Sequence, residues 1–374
     1  MVVRHPPHKI CHSARWCTQR THGHAVCRSW HLSSRQNSLS PPSPWLALPD
    51  GTFFSLPNNE SLQFPNSVGY HSSSGEWLVF LDDGNCSLVN PFSKVTLMLP
   101  KLSCVNSIVE PTEVINGPLV QSFNPITICL SMLSGISIQK VIVCSPVLVA
   151  AIYVIGDIHT VALCRPGAPS WFVSAVGNGM DIMDIMFYEG KLFVVTYRDL
   201  FSMKFEEDDD DNEPKVSQIE LLIEDSDSLA ISPNMYELSH YLVESCGVLL
   251  LVRREAQFKR SYPSDTNGLH VMVLDINFMV FEADLGSSQW VTVKSVGDDM
   301  ALFLSKGCSR AVSVSQYKQW GNCIFFLDDE TWGWFWKEDK RSCLKWKLLL
   351  HEERGEPEYM LEKLKAWFQT YKET

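Results

Sequence analysis

No aspartate or glutamate precedes Asp50, although Arg4, Lys9, Arg15, Arg20, Arg28 and Arg35 all do. The chain of 374 residues carries 31 Lys and Arg against 43 Asp and Glu, a formal net charge of −12, so everything after that acid-free opening holds the acidic excess. A field of that sign repels phosphate backbones and argues against nucleic acid as a partner. The opening also has no apolar h-region, which excludes a secretory signal. No apolar run reaches the roughly 20 residues that a membrane helix needs. The longest, residues 141–155, is broken by Ser145 and Pro146 and reads as two buried strands. No membrane partner is expected. Catalytic signatures are missing too: there is no Gly-x-Ser-x-Gly elbow, no phosphate-cradling glycine loop with lysine, no His-Glu-x-x-His and no dinucleotide fingerprint. Neither an enzyme nor a bound cofactor is expected.

What the chain does contain is ordinary for a folded protein, with 45% hydrophobic and 20% charged residues, which excludes wholesale disorder. Its twelve cysteines are scattered, and Cys129, Cys144, Cys164 and Cys323 lie inside apolar runs. That pattern reads as buried thiols of a reducing compartment, cytoplasm or nucleus, rather than a disulfide framework. The densest Cys/His cluster is His5, His8, Cys11, His12, Cys17, His22, His24, Cys27 and His31. It holds no Cys-x-x-Cys pair and matches no zinc knuckle, so no metal is expected. An acid-free, Arg- and Ser-bearing leader also suits an organellar transit peptide, a reading ranked below an unstructured remnant. The acidic run at residues 206–213 lacks the glycine and ligand spacing of a calcium loop and reads as a solvated connection. Trp332, Trp334 and Trp336 alternate with period two and read as a packing stripe.

From Trp45 onward, short runs rich in Val, Ile, Leu and Phe are separated by Gly, Pro, Asn, Asp and Ser, which is strand-and-turn punctuation. The body is expected to be all-β. One phrase recurs: a glycine, a variable residue, an apolar run and a polar exit. It starts at Gly75 (Gly75-Glu76-Trp77-Leu78-Val79-Phe80), Gly190 (Gly190-Lys191-Leu192-Phe193), Gly247 (Gly247-Val248-Leu249-Leu250) and Gly321 (Gly321-Asn322-Cys323-Ile324). A strand buried on both faces must be apolar throughout, and the tight turn feeding it needs a residue that tolerates positive φ. That combination describes an inner strand of a propeller blade. Trp77, Trp171 and Trp290 are expected to wedge between sheets, where an aromatic side chain buries ~150–250 Å². At ~40–50 residues per blade, residues 45–340 have room for six or seven blades. Two β-sandwiches in tandem are the alternative.

The sequence thus divides into a basic leader over residues 1–36, a Ser/Pro linker over 37–44, a propeller over 45–340 and an extension over 341–374. Within the extension, Met360, Leu361, Leu364, Ala366, Trp367 and Phe368 have the spacing of a short amphipathic helix.

Read in order, several phrases resemble plant F-box proteins that carry a KIB-type β-propeller. Ala25-Val26-Cys27-Arg28-Ser29-Trp30 is similar to the end of an F-box, whose last helix carries a Val-Cys-Arg/Lys-x-Trp phrase. Pro44-Trp45-Leu46-Ala47-Leu48-Pro49 resembles the start of the propeller. The Gly75 phrase, Ser87-Leu88-Val89-Asn90-Pro91-Phe92 and Leu99-Pro100 resemble the family's Gly-Trp-Leu, Leu-x-Asn-Pro and Leu-Pro series. Cys164-Arg165-Pro166-Gly167 with Trp171, Asp184-Ile185-Met186-Phe187-Tyr188-Glu189-Gly190-Lys191-Leu192-Phe193, Tyr241-Leu242-Val243-Glu244-Ser245, Phe281-Glu282-Ala283-Asp284-Leu285 and Asn322-Cys323-Ile324-Phe325-Phe326 continue it. The resemblance covers residues 24–330. The Leu-Pro pair and the two helices that normally open an F-box have no counterpart in residues 1–24, so the F-box, residues 24–36, is a truncated remnant.

The resemblance implies a non-catalytic recognition propeller, the substrate receptor of an SCF-type cullin-RING ubiquitin ligase. The F-box would dock a Skp-type adaptor and, through it, a cullin. The propeller would hold the client protein, for KIB-type members a GSK-type kinase. Val26, Cys27 and Trp30 are the positions that match the adaptor side. Gly75, Trp77, Asn90, Pro91, Trp171, Gly190, Gly247, Trp290 and Gly321 match the structural motif of the blades. A scaffold or decoy that binds partners without recruiting a ligase is the alternative.

Overall fold

The computed structural model describes residues 45–47, 50–55, 60–109, 113–115, 136–155, 158–174, 181–197, 199–206, 213–224, 236–261, 270–315 and 321–326. Among them are strands and turns and no helix, so none is long and apolar enough to cross a membrane. The leader, the linker and the C-terminal amphipathic helix lie outside the described residues. Two compact units divide the chain, Met1–Leu222 with Glu244–Leu249, and Ile223–Val243 with Leu250–Thr374.

In the first unit, β1 (Trp45–Ala47), β2 (Asp50–Ser55) and β3 (Glu60–Val68) form an antiparallel meander. A second meander follows, from β4 (Ser72–Ser74) through β5 (Trp77–Asp82) and β6 (Asn85–Val89) to β7 (Thr96–Leu99). Two short strands come next, β8 (Val105–Val109) and β9 (Glu113–Ile115). Then β10 (Ile136–Ser145), β11 (Leu148–Ile155), β12 (Ile158–Cys164) and β13 (Trp171–Ser174) build one sheet, and β14 (Ile182–Tyr188), β15 (Lys191–Thr196), β16 (Leu200–Phe205) and β17 (Val216–Ile223) another. β8 lies parallel along the outer strand β13, and β9 parallel along β17. One stretch of chain therefore caps the edges of two consecutive sheets, which would otherwise offer unpaired backbone to other chains.

The middle sheet shows why residues 148–155 read as continuously apolar. Successive side chains of a strand point to opposite faces, and here both faces are covered. From β11 and β12, Ala150, Ile152, Val161 and Leu163 join a core with Ile185, Leu192 and Phe201 of the following sheet. The residues between them, Val149, Ala151, Tyr153 and Ala162, join a second core with Val79, Leu88 and Leu99 of the preceding one. The expected pair of buried strands is present, turning at Pro146 and Val147.

The second unit holds long strands, β18 (Tyr236–Ser245), β19 (Val248–Ser261) and β20 (His270–Asp284), with β21 (Gln289–Val293) at the edge. In the sheet that follows, β22 (Met300–Leu304) pairs antiparallel with β23 (Arg310–Ser313) and parallel with β24 (Cys323–Phe326).

Counted as blades, the sheets from β4 onward number five among the described residues, not the six or seven expected. The expectation assumed a uniform ~40–50 residues per blade. Strands of 14 and 15 residues in β19 and β20, and the edge strap of β8 and β9, use more chain per sheet.

Candidate functional site

The recurring glycines occupy two kinds of position. Glu189 and Gly190 (φ 48° and 77°) and Cys246 and Gly247 (φ 52° and 87°) form the two-residue turns into β15 and β19, with both central residues left-handed as a type I′ hairpin requires. Gly75, at φ 61°, turns the chain from β4 into β5. Gly321 is not equivalent to them. It has no positive φ, it precedes a strand that pairs parallel, and a Cβ there would fall on the Asp298 carbonyl. Close backbone approach explains that glycine, and Asn322 beside it takes the left-handed conformation (φ 56°). Asp83-Gly84, a fourth left-handed turn between β5 and β6, was legible as a Asp-Gly hairpin signal but lies outside the recurring phrase.

The three tryptophans also separate. Trp171 is wholly buried; its indole N–H donates to the Pro100 carbonyl at 2.9 Å, and its ring stands 5.2 Å from Tyr153. Trp77 is partly buried and packs against the core that its own sheet shares with the sheet of β11, whereas Trp290, also partly buried, is not part of that core. Trp290 lies on edge strand β21, where no further described strand covers it.

Asn90 and Pro91 are buried and build a turn. The Asn90 Oδ1 accepts from the Phe92 and Ser93 amides, both at 3.0 Å, and the Asn90 amide donates to the Val95 carbonyl at 2.9 Å. This turn holds Phe92 with 40% of its surface exposed, edge-on to Phe64 at 5.3 Å and to buried Phe53 at 6.0 Å. Leu62, 45% exposed, shares a face of β3 with Phe64 and pairs with Phe53. The result is an apolar, aromatic cluster held by a hydrogen-bonded turn. The sequence marked Asn90 and Pro91 but gave no sign that they present Phe92 to two rings on another sheet.

A second feature was not anticipated. Lys140 on β10 and Asp184 on β14 form a buried ion pair at 2.6 Å between consecutive sheets, and the same carboxylate oxygen accepts from the Ile185 amide. A lysine within Ile138-Gln139-Lys140-Val141-Ile142 and an aspartate within Ile182-Met183-Asp184-Ile185 were the available signal.

The thiols are placed for packing. Burial pushes Cys86 up to about 12 and raises Cys144 and Cys164 as well, so they stay protonated near neutrality and are poor nucleophiles. Tyr153 is raised too, by burial first and by its thiol neighbours Cys86, Cys164 and Cys104 second. Among the described residues no group of three His, Cys, Asp or Glu is placed to hold a metal ion. Val26, Cys27 and Trp30 lie outside the described residues, as do Cys129 and the tryptophan stripe.

A family model described as the KIB1-4 beta-propeller matches residues 53–346, most of the chain. The chain belongs to the KIB1-4 beta-propeller family. Its sheets are therefore blades of an all-β propeller, an architecture that serves as a protein-interaction scaffold, and the turn glycines, the Asn90-Pro91 turn and Trp171 lie within the matched residues. No curated protein matches the sequence. Among solved structures, Kluyveromyces lactis Hsv2 aligns with 12% identity over 60% of this chain and 79% of its own, at a TM-score of 0.25. So loose an overlay carries no argument.

Proposed function

We propose that this KIB1-4 propeller is a non-catalytic recognition subunit, the substrate receptor of an SCF-type cullin-RING ubiquitin ligase working in the cytoplasm or nucleus. The observation that carries the reading is the order of two parts: a Val-Cys-Arg-x-Trp phrase at residues 26–30, followed by a KIB1-4 propeller over residues 53–346. In this role Val26, Cys27 and Trp30 pack on a Skp-type adaptor, where an aromatic anchor contributes most of the interface energy. The propeller surface takes the client, with a GSK-type kinase the candidate that the family resemblance names. The test is retention of the purified full chain on immobilised Skp-type adaptor, with Trp30→Ala losing at least tenfold in affinity.

A second reading, resting on the propeller match alone, is a scaffold or decoy that holds clients without delivering them. Client binding with no adaptor retention selects it.

A further inference from the structure

We propose that strand β21 is a docking edge for an extended, basic segment of a partner protein, which adds to the sheet as a further strand. Other edges of the propeller are occupied from within the chain. β8 runs along β13 and β9 along β17, and the Met98 carbonyl of edge strand β7 accepts from the Gly167 amide. Among the described residues no strand lies beyond β21. It also lacks the features that keep an edge from pairing. Its sequence, Gln289-Trp290-Val291-Thr292-Val293, holds neither lysine nor proline, and its register against β20 runs without a bulge. An edge of this kind is a template for a strand from another chain. It is also held in place, because Asp284 closes the turn from β20 by accepting from the Gly286 and Ser287 amides at 3.0 and 3.2 Å.

Register sets the chemistry of the occupant. Val291 stands opposite Glu282 and Gln289 opposite Asp284, and directly paired residues share a face of the sheet. Val291 is 49% exposed, so on that face an open apolar side chain lies between the edge and two carboxylates. A lysine or arginine on the added strand lays its aliphatic stem across Val291 and carries its charge to Glu282. The opposite face holds partly buried Trp290 and exposed Thr292, where an apolar residue of the added strand covers the indole. Because successive side chains of a strand go to opposite faces, the edge fits a segment in which basic and apolar residues alternate. The local charge agrees: residues 280–300 contain Glu282, Asp284, Asp298 and Asp299 against Lys294, a net −3. The same excess disfavours a second copy of this chain, whose own β21 would bring like charges to the seam.

The assignment rests on the reading of the propeller as a recognition subunit, but not on adaptor binding. Fluorescence anisotropy of the full chain with a short, labelled, end-blocked peptide of alternating Lys and Val tests it. The peptide should bind, and bind more weakly as salt rises, while its Glu-Val counterpart should not. A central proline in the Lys-Val peptide should weaken it about tenfold, since the added strand must be continuous. Val291→Lys should weaken binding about tenfold and Glu282→Gln about threefold, with melting temperatures as in wild type. Val147→Lys, the same change at an exposed turn of the other unit, should have no effect. Hydrogen exchange should slow at residues 289–293 when the Lys-Val peptide is added, and stay unchanged at residues 96–99. No binding, equal binding of the proline peptide, full binding by Val291→Lys, protection only elsewhere, or self-association through residues 289–293 would each overturn the proposal. A chain that retains the adaptor yet ignores the peptide refutes the edge site alone, and one that binds the peptide yet not the adaptor refutes the ligase reading alone.

Discussion

At Trp171 a single side chain joins two sheets, packing on Tyr153 of its own and donating to Pro100 at the exit of the one before. Its removal leaves a cavity and an orphaned carbonyl, so Trp171→Ala should cost ~3–5 kcal/mol in urea unfolding. Trp290→Ala, on an edge strand where the ring is only partly buried, should cost less than Trp171→Ala. Equal losses at the two positions would contradict this placement. Lys140 and Asp184 follow a different rule. Removing either partner strands a buried charge, so Lys140→Met alone should destabilise by ~3–5 kcal/mol, while Lys140→Met with Asp184→Leu should recover most of it. A double variant no better than the single one would show that the pair matters for something other than charge compensation. The glycines divide similarly: Gly190→Ala meets open space and should cost only the left-handed strain, ~1–2 kcal/mol. Gly321→Ala must displace the Asp298 backbone and should cost more.

Strand β11 is the element on which the first unit depends, because its alternate residues serve two different cores. The thiols bracketing it give those cores a pH signature. Cys86, Cys144 and Cys164 have folded pKa values raised above the ordinary 9.0, so their contribution is complete below pH 9 and is lost as pH rises toward the folded values, about 12 for Cys86. In that window the unfolded chain has released protons that the folded one keeps, and each thiol removes about 1.4 kcal/mol per pH unit. Melting temperature should therefore fall steeply between pH 9 and 10, and Cys86→Ala should flatten the slope; an unchanged slope would contradict the burial. Strand identity was largely readable because burial on both faces writes itself as an unbroken apolar run, as in residues 148–155, 192–195 and 323–326. Blade number was not, since sequence does not reveal that residues 105–109 and 113–115 serve as edge strands for two later sheets. Nor could spacing separate buried Trp171 from edge Trp290: each lies in an apolar strand phrase, and what distinguishes them is how far the described neighbouring strands cover the ring. The Phe53, Phe64 and Phe92 cluster joins residues from two meanders, a proximity that no local pattern encodes.

Over the whole chain, an acidic KIB1-4 propeller follows a basic segment with no acid of its own. The propeller supplies the sheets, and residues 25–30 supply the phrase that resembles an adaptor anchor. The account therefore turns on whether the full chain joins a ligase adaptor. Light scattering of the full chain mixed at micromolar concentration with purified Skp-type adaptor measures this directly. A complex with one copy of each chain that Trp30→Ala abolishes, while its melting temperature stays that of wild type, is the predicted result. Two separate species in the wild-type mixture would contradict the receptor account.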